Sequence, residues 1–545
     1  MPETQPGQPA AHTADQQPAP MTHRQVMEAL SGLLLAMFVA MLSSTVVTNA
    51  LPRIVTELEG SQTGYTWVVV ATLLAMTATT PIWGKLADLF DKKTLVQSAI
   101  VVYVVGSVLA AVAPSMGVLI GARVVQGLGV GGLTALVQVV IASMVSPRER
   151  GRYSGYIGAT FAAATVSGPL IGGLVVDSPL GWRGVFLVGL PVAVLAFVQL
   201  QRTLHLPRAS RPEGGVHIDY LGATLLMAGV SVLLVWVSLA GNQFAWASSI
   251  TAELVTTGVA LLAAAIWVEA RVATDPIVPL GLFRDRTVAL ATAASASVGV
   301  AMFAGTVYLS QYFQVARGMT PTEAGLMSIC MVGGLMVSSL VTGKIITATG
   351  LWKRYLVGGA ATITVGMLLL GTLDESTPLV LVGAFMAVLG LGVGATMQNL
   401  VLAVQNSVPV HRLGAASSVV AFFRSLGGSV GVSVLGALLS AQVATRASDG
   451  LARLGVDTSG QSSHEIPDLD ALPAPVRAVF EQAFGESFGH LFLVAAPFAL
   501  LALVLVLFIK EVPLRTGAGE TLPERELADV APAATGAVTA TIASR

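Results

Sequence analysis

The chain has 545 residues, 54% of them hydrophobic and 11% charged. Soluble domains run at roughly 45–50% and about 25%, so an ordinary soluble fold is excluded. A net charge of −1 gives no basis for nucleic-acid binding, and one cysteine, Cys330, inside an apolar stretch excludes a disulfide framework and a cysteine-based metal site. Taken in order, residues 1–26 are predicted as a disordered cytoplasmic tail, rich in Pro, Gln, Ala and Thr and without the apolar core of a signal peptide. Apolar runs of about 20 residues, enough to cross a ~30 Å hydrocarbon core, then recur from Met27 to Ile509. Fourteen spans are predicted, at 27–51, 64–84, 94–113, 117–145, 151–176, 184–203, 219–241, 249–270, 286–314, 321–343, 355–373, 377–405, 412–441 and 486–509. The segment 442–485 is the longest predicted external loop. Its Pro467, Pro473 and Pro475 argue against one continuous helix, and it is read as a cap over the outer mouth. Residues 510–545 are predicted as a second disordered cytoplasmic tail.

Charge sets the expected orientation. With the N-terminus inside, sixteen Lys and Arg fall in cytoplasmic loops, among them Lys85, Lys92, Lys93, Arg148, Arg150, Arg152, Arg208, Arg211, Lys344, Lys353, Arg354 and Arg412; six fall outside. The positive-inside rule then places both termini in the cytoplasm of a cell whose inner or plasma membrane holds the protein. The chain also repeats itself. Gly84-Lys85-Leu86-Ala87-Asp88, with Lys92-Lys93, returns 259 residues later as Gly343-Lys344-Ile345, with Lys353-Arg354. Gly127-Leu128-Gly129-Val130-Gly131 returns after 263 as Gly390-Leu391-Gly392-Val393-Gly394. Parallel repeats of this kind build transporters with a path between the halves. The expected fold class is an all-α polytopic membrane protein of two pseudo-symmetric six-helix bundles, 27–203 and 286–509, with two inserted helices in 204–285. Two halves in one chain complete one pathway, so a functional monomer is expected.

These stretches resemble the major facilitator superfamily, in particular its fourteen-helix drug:proton antiporters. The loop signature stands at Gly84, Asp88, Asp91, Lys92 and Lys93, the fourth-helix signature at Arg123, Gln126, Gly127 and Gly129, and the antiporter signature at Ser167, Gly168, Pro169, Gly172 and Gly173. Further similar stretches are Ser146-Pro147-Arg148-Glu149-Arg150-Gly151, Gln405-Asn406-Ser407-Val408-Pro409 and Phe423-Arg424-Ser425-Leu426-Gly427-Gly428. The resemblance implies that Asp88 caps a helix of the other half, or binds a basic residue there, in one orientation of the halves. It also implies that Gly168, Pro169, Gly172 and Gly173 form a sealed bend favouring exchange. Departures are Ser43 where an Asp is usual, Ser143 at a second usual Asp, Gly189 at an expected Asn, Asp91 for Gly, and Ala164 where the first Gly is common.

Two arginines fall inside predicted spans, where charge costs ~2.5–3.5 kcal/mol even on lenient scales. Arg123 is about 9 Å along span 4 from its outer end and Ser43 about 12 Å along span 1, at similar depth. Arg424 is about 18 Å along span 13, near the midplane. No carboxylate is as deep: Glu28, Asp177, Asp219, Glu253, Glu269 and Glu323 all fall near span ends. Candidate path residues are Ser43, Thr48, Arg123, Gln126, Tyr308, Gln311, Tyr312, Gln398, Asn399, Gln405, Asn406 and Arg424. Amides and phenols amid Met, Phe and Leu suit amphipathic small molecules, and two deep arginines favour neutral or anionic ones. No metal site and no cofactor are expected, the proton gradient being the energy source. A Gly-x4-Gly-Lys-Ser/Thr phosphate loop is absent, which excludes an ATP-driven pump. An exporter driven by proton antiport and an uncoupled facilitator or lipid carrier on the same fold both remain open.

Overall fold

The computed structural model describes residues 23–59, 62–176, 178–204, 206, 219–241, 243–273, 275–454 and 473–515. Among them no sheet forms. The helices are α1 (His23–Glu57), α2 (Gln62–Leu89), α3 (Lys92–Ala111), α4 (Met116–Met144), α5 (Pro147–Val176), α6 (Gly181–Leu187), α7 (Leu190–Thr203), α8 (Tyr220–Leu239), α9 (Ser249–Arg271), α10 (Arg286–Gln311), α11 (Pro321–Thr349), α12 (Lys353–Leu370), α13 (Leu379–Ser407), α14 (Leu413–Arg453) and α15 (Ala474–Leu507). The predicted sixth span is broken into α6 and α7, because Pro191 in the first turn of α7 has no N–H to continue the ladder. All fourteen predicted spans are helical, but among the described residues twelve helical segments are long and apolar enough to cross a membrane. The other two are α5, which opens on Arg148, Glu149, Arg150 and Arg152, and α12, whose 18 residues open on Lys353 and Arg354.

The packing repeats with the sequence. In the first half α4 lies along α2 and α3, while α1 lies along α5 and α7; in the second, α13 lies along α11 and α12, while α10 lies along α14 and α15. The halves meet along two equivalent seams, α2 with α14 and α5 with α11. The inserted pair covers one of them: α8 packs on both α2 and α14, and α9 packs on α8. Leu74 and Ala78 of α2, Val230 and Leu234 of α8, and Phe422 of α14 fill that junction.

Glycines set these distances. Where lipid tails are as apolar as the side chains, close packing drives helix association, and a missing Cβ lets backbones touch. A Cβ on Gly127 or Gly131 would run into the α2 carbonyls of Thr72 and Met76, and one on Gly129 into the α3 backbone at Tyr103. In the second half, Gly390 and Gly394 face the carbonyls of Met331 and Leu335 on α11, and Gly392 faces Ile363 and Gly359 on α12. The two glycine runs therefore do the same mechanical job, the outer members against one neighbour and the middle member against another.

The segment 442–485, expected outside the membrane, is helical at both of its described ends. Helix α14 has 41 residues, about 60 Å at 1.5 Å each, so it leaves a ~30 Å core well before it ends. Residues 442–453 continue α14 and 474–485 belong to α15. The two extensions pair through Arg446 with Ser487 Oγ at 2.8 Å and Glu486 at 3.5 Å, and through Gln442 with His490 at 2.6 Å. Hydropathy marks where a helix leaves lipid, not where it stops. Pro473 and Pro475 stand at the start of α15, where proline costs no intrahelical bond. Pro467 and the middle of the expected cap lie outside the described residues.

Replacing Gly131 or Gly394 by Leu should destabilise the detergent-solubilised protein by roughly 1–3 kcal/mol, the usual cost of overpacking. Gly358→Leu, at a position facing open space, should leave thermal unfolding unchanged.

Candidate transport path and gate

Six of the predicted site residues, Gly84, Asp88, Lys92, Lys93, Gln405 and Asn406, lie at the end of the bundle that carries the basic loops. The Asp88 carboxylate accepts from Gly414 N at 2.7 Å and Ala415 N at 2.8 Å. These amides open α14, whose own N-cap residue, Arg412, makes no side-chain cap. A carboxylate from the first half thus satisfies orphan donors of the second and meets the positive end of the helix dipole. Gly84 makes the approach possible: a Cβ there would strike the Gly414 carbonyl and Ser418. Lys93 instead donates to Gln201 O at 2.8 Å within its own half, and Lys85 pairs with Asp275 at 3.7 Å, in the segment before α10.

The other seam closes with the opposite polarity. Arg148 at the start of α5 donates to Thr347 O and Ala348 O, both at 3.3 Å, at the C-terminal end of α11. Beside it Arg150 is buried and donates to Val145 O, Ala142 O and, across the seam, Gln405 Oε1 at 2.9 Å; Gln405 donates in turn to Ser417 at 2.8 Å. Gln405 therefore belongs to the closure. So does Asn406, which holds a non-helical strap after α15: its amide donates to Pro513 O at 3.1 Å, while Arg515 N donates to its Oδ1 at 3.1 Å. Glu511 caps α12 through the amides of Trp352 and Lys353, and Arg515 O accepts from Arg148 N at 3.4 Å. The tail expected to start at 510 is thus packed as far as 515. Sequence reasoning took Arg148 and Arg150 for loop charges and missed the strap; buried Leu514 beyond Lys510 was the available cue.

Between the seams Gln138 of α4 donates to Gln398 of α13 at 3.2 Å. Gln398 also lines a cavity of about 10 Å³ with Ile157, Phe161, Leu335 and Met397. A second, about 20 Å³, lies among Phe161, Thr165, Met302, Thr306, Met331 and Met386. Neither, as it stands, holds more than a water or two. The other predicted path groups are occupied within the second half. Tyr308 donates to Val432 O, Tyr312 to Asp374 O at 2.7 Å, and Asn399 to Ala395 O on its own helix at 2.6 Å. Gln311 is half-buried beside them.

Arg123 lies inside the first bundle. Its Nε donates to Val68 O at 3.1 Å, its Nη1 donates to Gln126, whose amide donates to Ser107 at 2.8 Å, and the Phe186 ring centre is 5.9 Å away. Ser43 is buried, and the Tyr103 phenol stands among Ser43, Ser107, Gln126 and Arg123. The side chain of Thr48 lies outside the described residues.

The Major Facilitator Superfamily profile matches residues 33–432. The chain belongs to this superfamily. It is 35% identical over 484 residues to an uncharacterized MFS-type transporter, Rv1877, of Mycobacterium tuberculosis, covering 89% of this chain and 69% of the relative. It is 32% identical over 456 residues to the multidrug transporter protein MdtP of Bacillus subtilis, covering 84% and 80%, and 32% identical over 499 residues to the efflux pump dotC of Dothistroma septosporum, covering 90% and 85%. The crystal structure of the human organic anion transporter MFSD10 (TETRAN) superposes with a TM-score of 0.53 at 12% identity, covering 87% of this chain and all but 1% of that one, a likeness of fold alone.

Within this superfamily the chain's departures have local structural answers. Asp91 caps α3 by accepting from Thr94 N at 3.0 Å. A Cβ at Gly189 would fall 2.6 Å from the Tyr103 hydroxyl oxygen, so that phenol fills the place of the expected Asn. Ser143 turns back to Val139 O of its own helix. On α5, the position a Gly168 side chain would take is filled by Thr45, which donates to Leu42 O at 3.1 Å and reaches Ala164 O at 3.4 Å. Helix α5 runs unbroken through 169, buried Gly172 and Gly173 to Val176; the Pro169 side chain lies outside the described residues.

Asp88→Ala should release the amides of Gly414 and Ala415, raising their deuterium exchange at least about tenfold, the equivalent of 1.4 kcal/mol. Exchange unchanged at both amides would mean that the carboxylate does not hold α14.

Proposed function

We propose that this transporter is a secondary active exporter of amphipathic hydrophobic compounds, working by alternating access and proton antiport in the cell membrane, with both termini cytoplasmic. The observation that carries the reading is the paired closure at the basic end. Asp88 on α14 and Arg148 on α11 are contacts between halves at helix termini, each a few hydrogen bonds strong, and a rocking motion can break them without unfolding either bundle. A hydrogen bond to an ion contributes about 1.5–3 kcal/mol, suitable for a gate that must open and close. Export is supported by relatives named as a multidrug transporter and an efflux pump. The Met and Phe lining of the central cavities suits varied apolar ligands, neutral or anionic, and one chain supplies both halves of the path, so a monomer suffices.

A second reading keeps the fold and drops the coupling. It is favoured by Ser43, which stands where the resemblance expects an Asp, and by Glu28, which is half-exposed and spent on Arg24 at 2.9 Å. The protein then acts as a facilitator or a lipid carrier.

Purified protein in liposomes loaded with fluorescent amphiphiles separates the two. Under an imposed pH gradient the substrate should move against its own gradient, and a protonophore should abolish that accumulation. Downhill flux indifferent to the pH gradient would exclude antiport and leave the facilitator.

A further inference from the structure

The two intramembrane arginines are not equivalent. Arg123 is 2% exposed and its guanidinium is spent on Val68 O and Gln126. Arg424 has no such partners: its Nη1 is buried with no hydrogen-bond partner, and among the described residues no charged side chain acts on it. It stands about 16 Å into α14 from Leu413, where an uncompensated cation is costly. Close backbone contact fixes it there. The carbonyl of Arg424 occupies the place of a Gly299 side chain, Gly427 faces the Ala296 carbonyl, and Gly428 faces the Phe303 ring. The fold therefore fixes the backbone of Arg424 about 16 Å into α14 and leaves part of its side chain's donor set unused.

Resting on the export reading above, we propose that Arg424 is the anchor for the acid group of an anionic amphiphile, with the apolar part of the ligand in the Met- and Phe-lined cavity between the halves once the parting of the halves has widened it. That cavity begins at Met302, three residues or about 4.5 Å along α10 from Gly299, and continues to Thr306. A second unused donor lies at the same depth. Gly84 of α2 packs against Ser418 of α14, and two turns farther along this antiparallel pair Thr77 comes level with Ser425; Thr77 Oγ1 is buried without a partner. A carboxylate offers two acceptors to the guanidinium in the geometry it favours. Hydrogen bonds to charged groups are usually worth 1.5–3 kcal/mol. Arg123 is a positioning residue of the first bundle and takes no part in this recognition.

The test is binding to the purified full chain in uncharged detergent, read as ligand-dependent thermal unfolding, with decanoate, decanol, decyltrimethylammonium and acetate as probes. Decanoate should bind about tenfold to a hundredfold tighter than decanol, and the ammonium should not bind measurably. Arg424→Gln should equalise decanoate and decanol, and Arg424→Lys should recover part of the preference. Arg123→Gln should lower the unfolding temperature and keep the preference. Equal affinity of the unmodified protein for decanoate and decanol overturns the proposal, as does a preference that survives Arg424→Gln. Acetate binding as tightly as decanoate would reduce the site to one for small free anions and overturn the amphiphile. No gradient is imposed, so a failure of proton-driven flux and a failure here are separate results.

Discussion

The start of every α-helix presents backbone N–H groups with no partner inside the helix, and away from water those groups must be met by something else. For α14 the partner is Asp88 of the other half. At the second seam the complementary need, acceptors at the end of α11, is met by Arg148. Closure of the molecule at its basic end thus rests on two helix termini whose satisfaction comes from across the seam. Gly84 and Gly414 are required because the capping carboxylate reaches those amides only when the two backbones touch. Gln405, Asn406 and the strap at 511–515 add to a closure that this geometry has already placed.

The symmetry of the fold is broken in an instructive way. The seams α2–α14 and α5–α11 are equivalent by the internal repeat, yet α8 covers the first of them. The two closures also carry opposite charge, a carboxylate at one helix start and a guanidinium at the other helix end. Each suits the local dipole, so a duplicated framework closes on unlike chemistry. The same divergence separates the intramembrane arginines. Arg123 sits in a network of Gln126, Ser107 and Tyr103, and Arg424 sits against the bare backbone of α10.

Much of this was legible in the residues. The glycine runs at 127–131 and 390–394 announced two bundles, because only close helix packing in lipid requires such spacing, and they face equivalent neighbours. The loop signature placed Asp88 at a helix end, and its contact with α14 follows from the chemistry of a carboxylate near orphan amides. Legibility ended where a side chain's partner lay far away in the sequence. Gln405 and Asn406 read as polar groups facing a passage; their partners, Arg150 and the strap, are 255 and more than 100 residues away in sequence. Tyr308 and Tyr312 read as path phenols and are bound to backbone carbonyls of their own half.

Composition, hydropathy and repetition by themselves determined that the chain is helical, membrane-embedded, duplicated and a member of a transporter superfamily, because those properties depend on local periodicity and on the hydrocarbon thickness that each segment must cross. Tertiary structure alone decided how far α14 and α15 run beyond lipid, which seam the inserted helices cover, and which of the two deep arginines keeps a donor free. These depend on pairwise distances between segments far apart in the chain, and hydrogen bonds and ion contacts act only over a few ångströms, a range on which sequence separation carries no information.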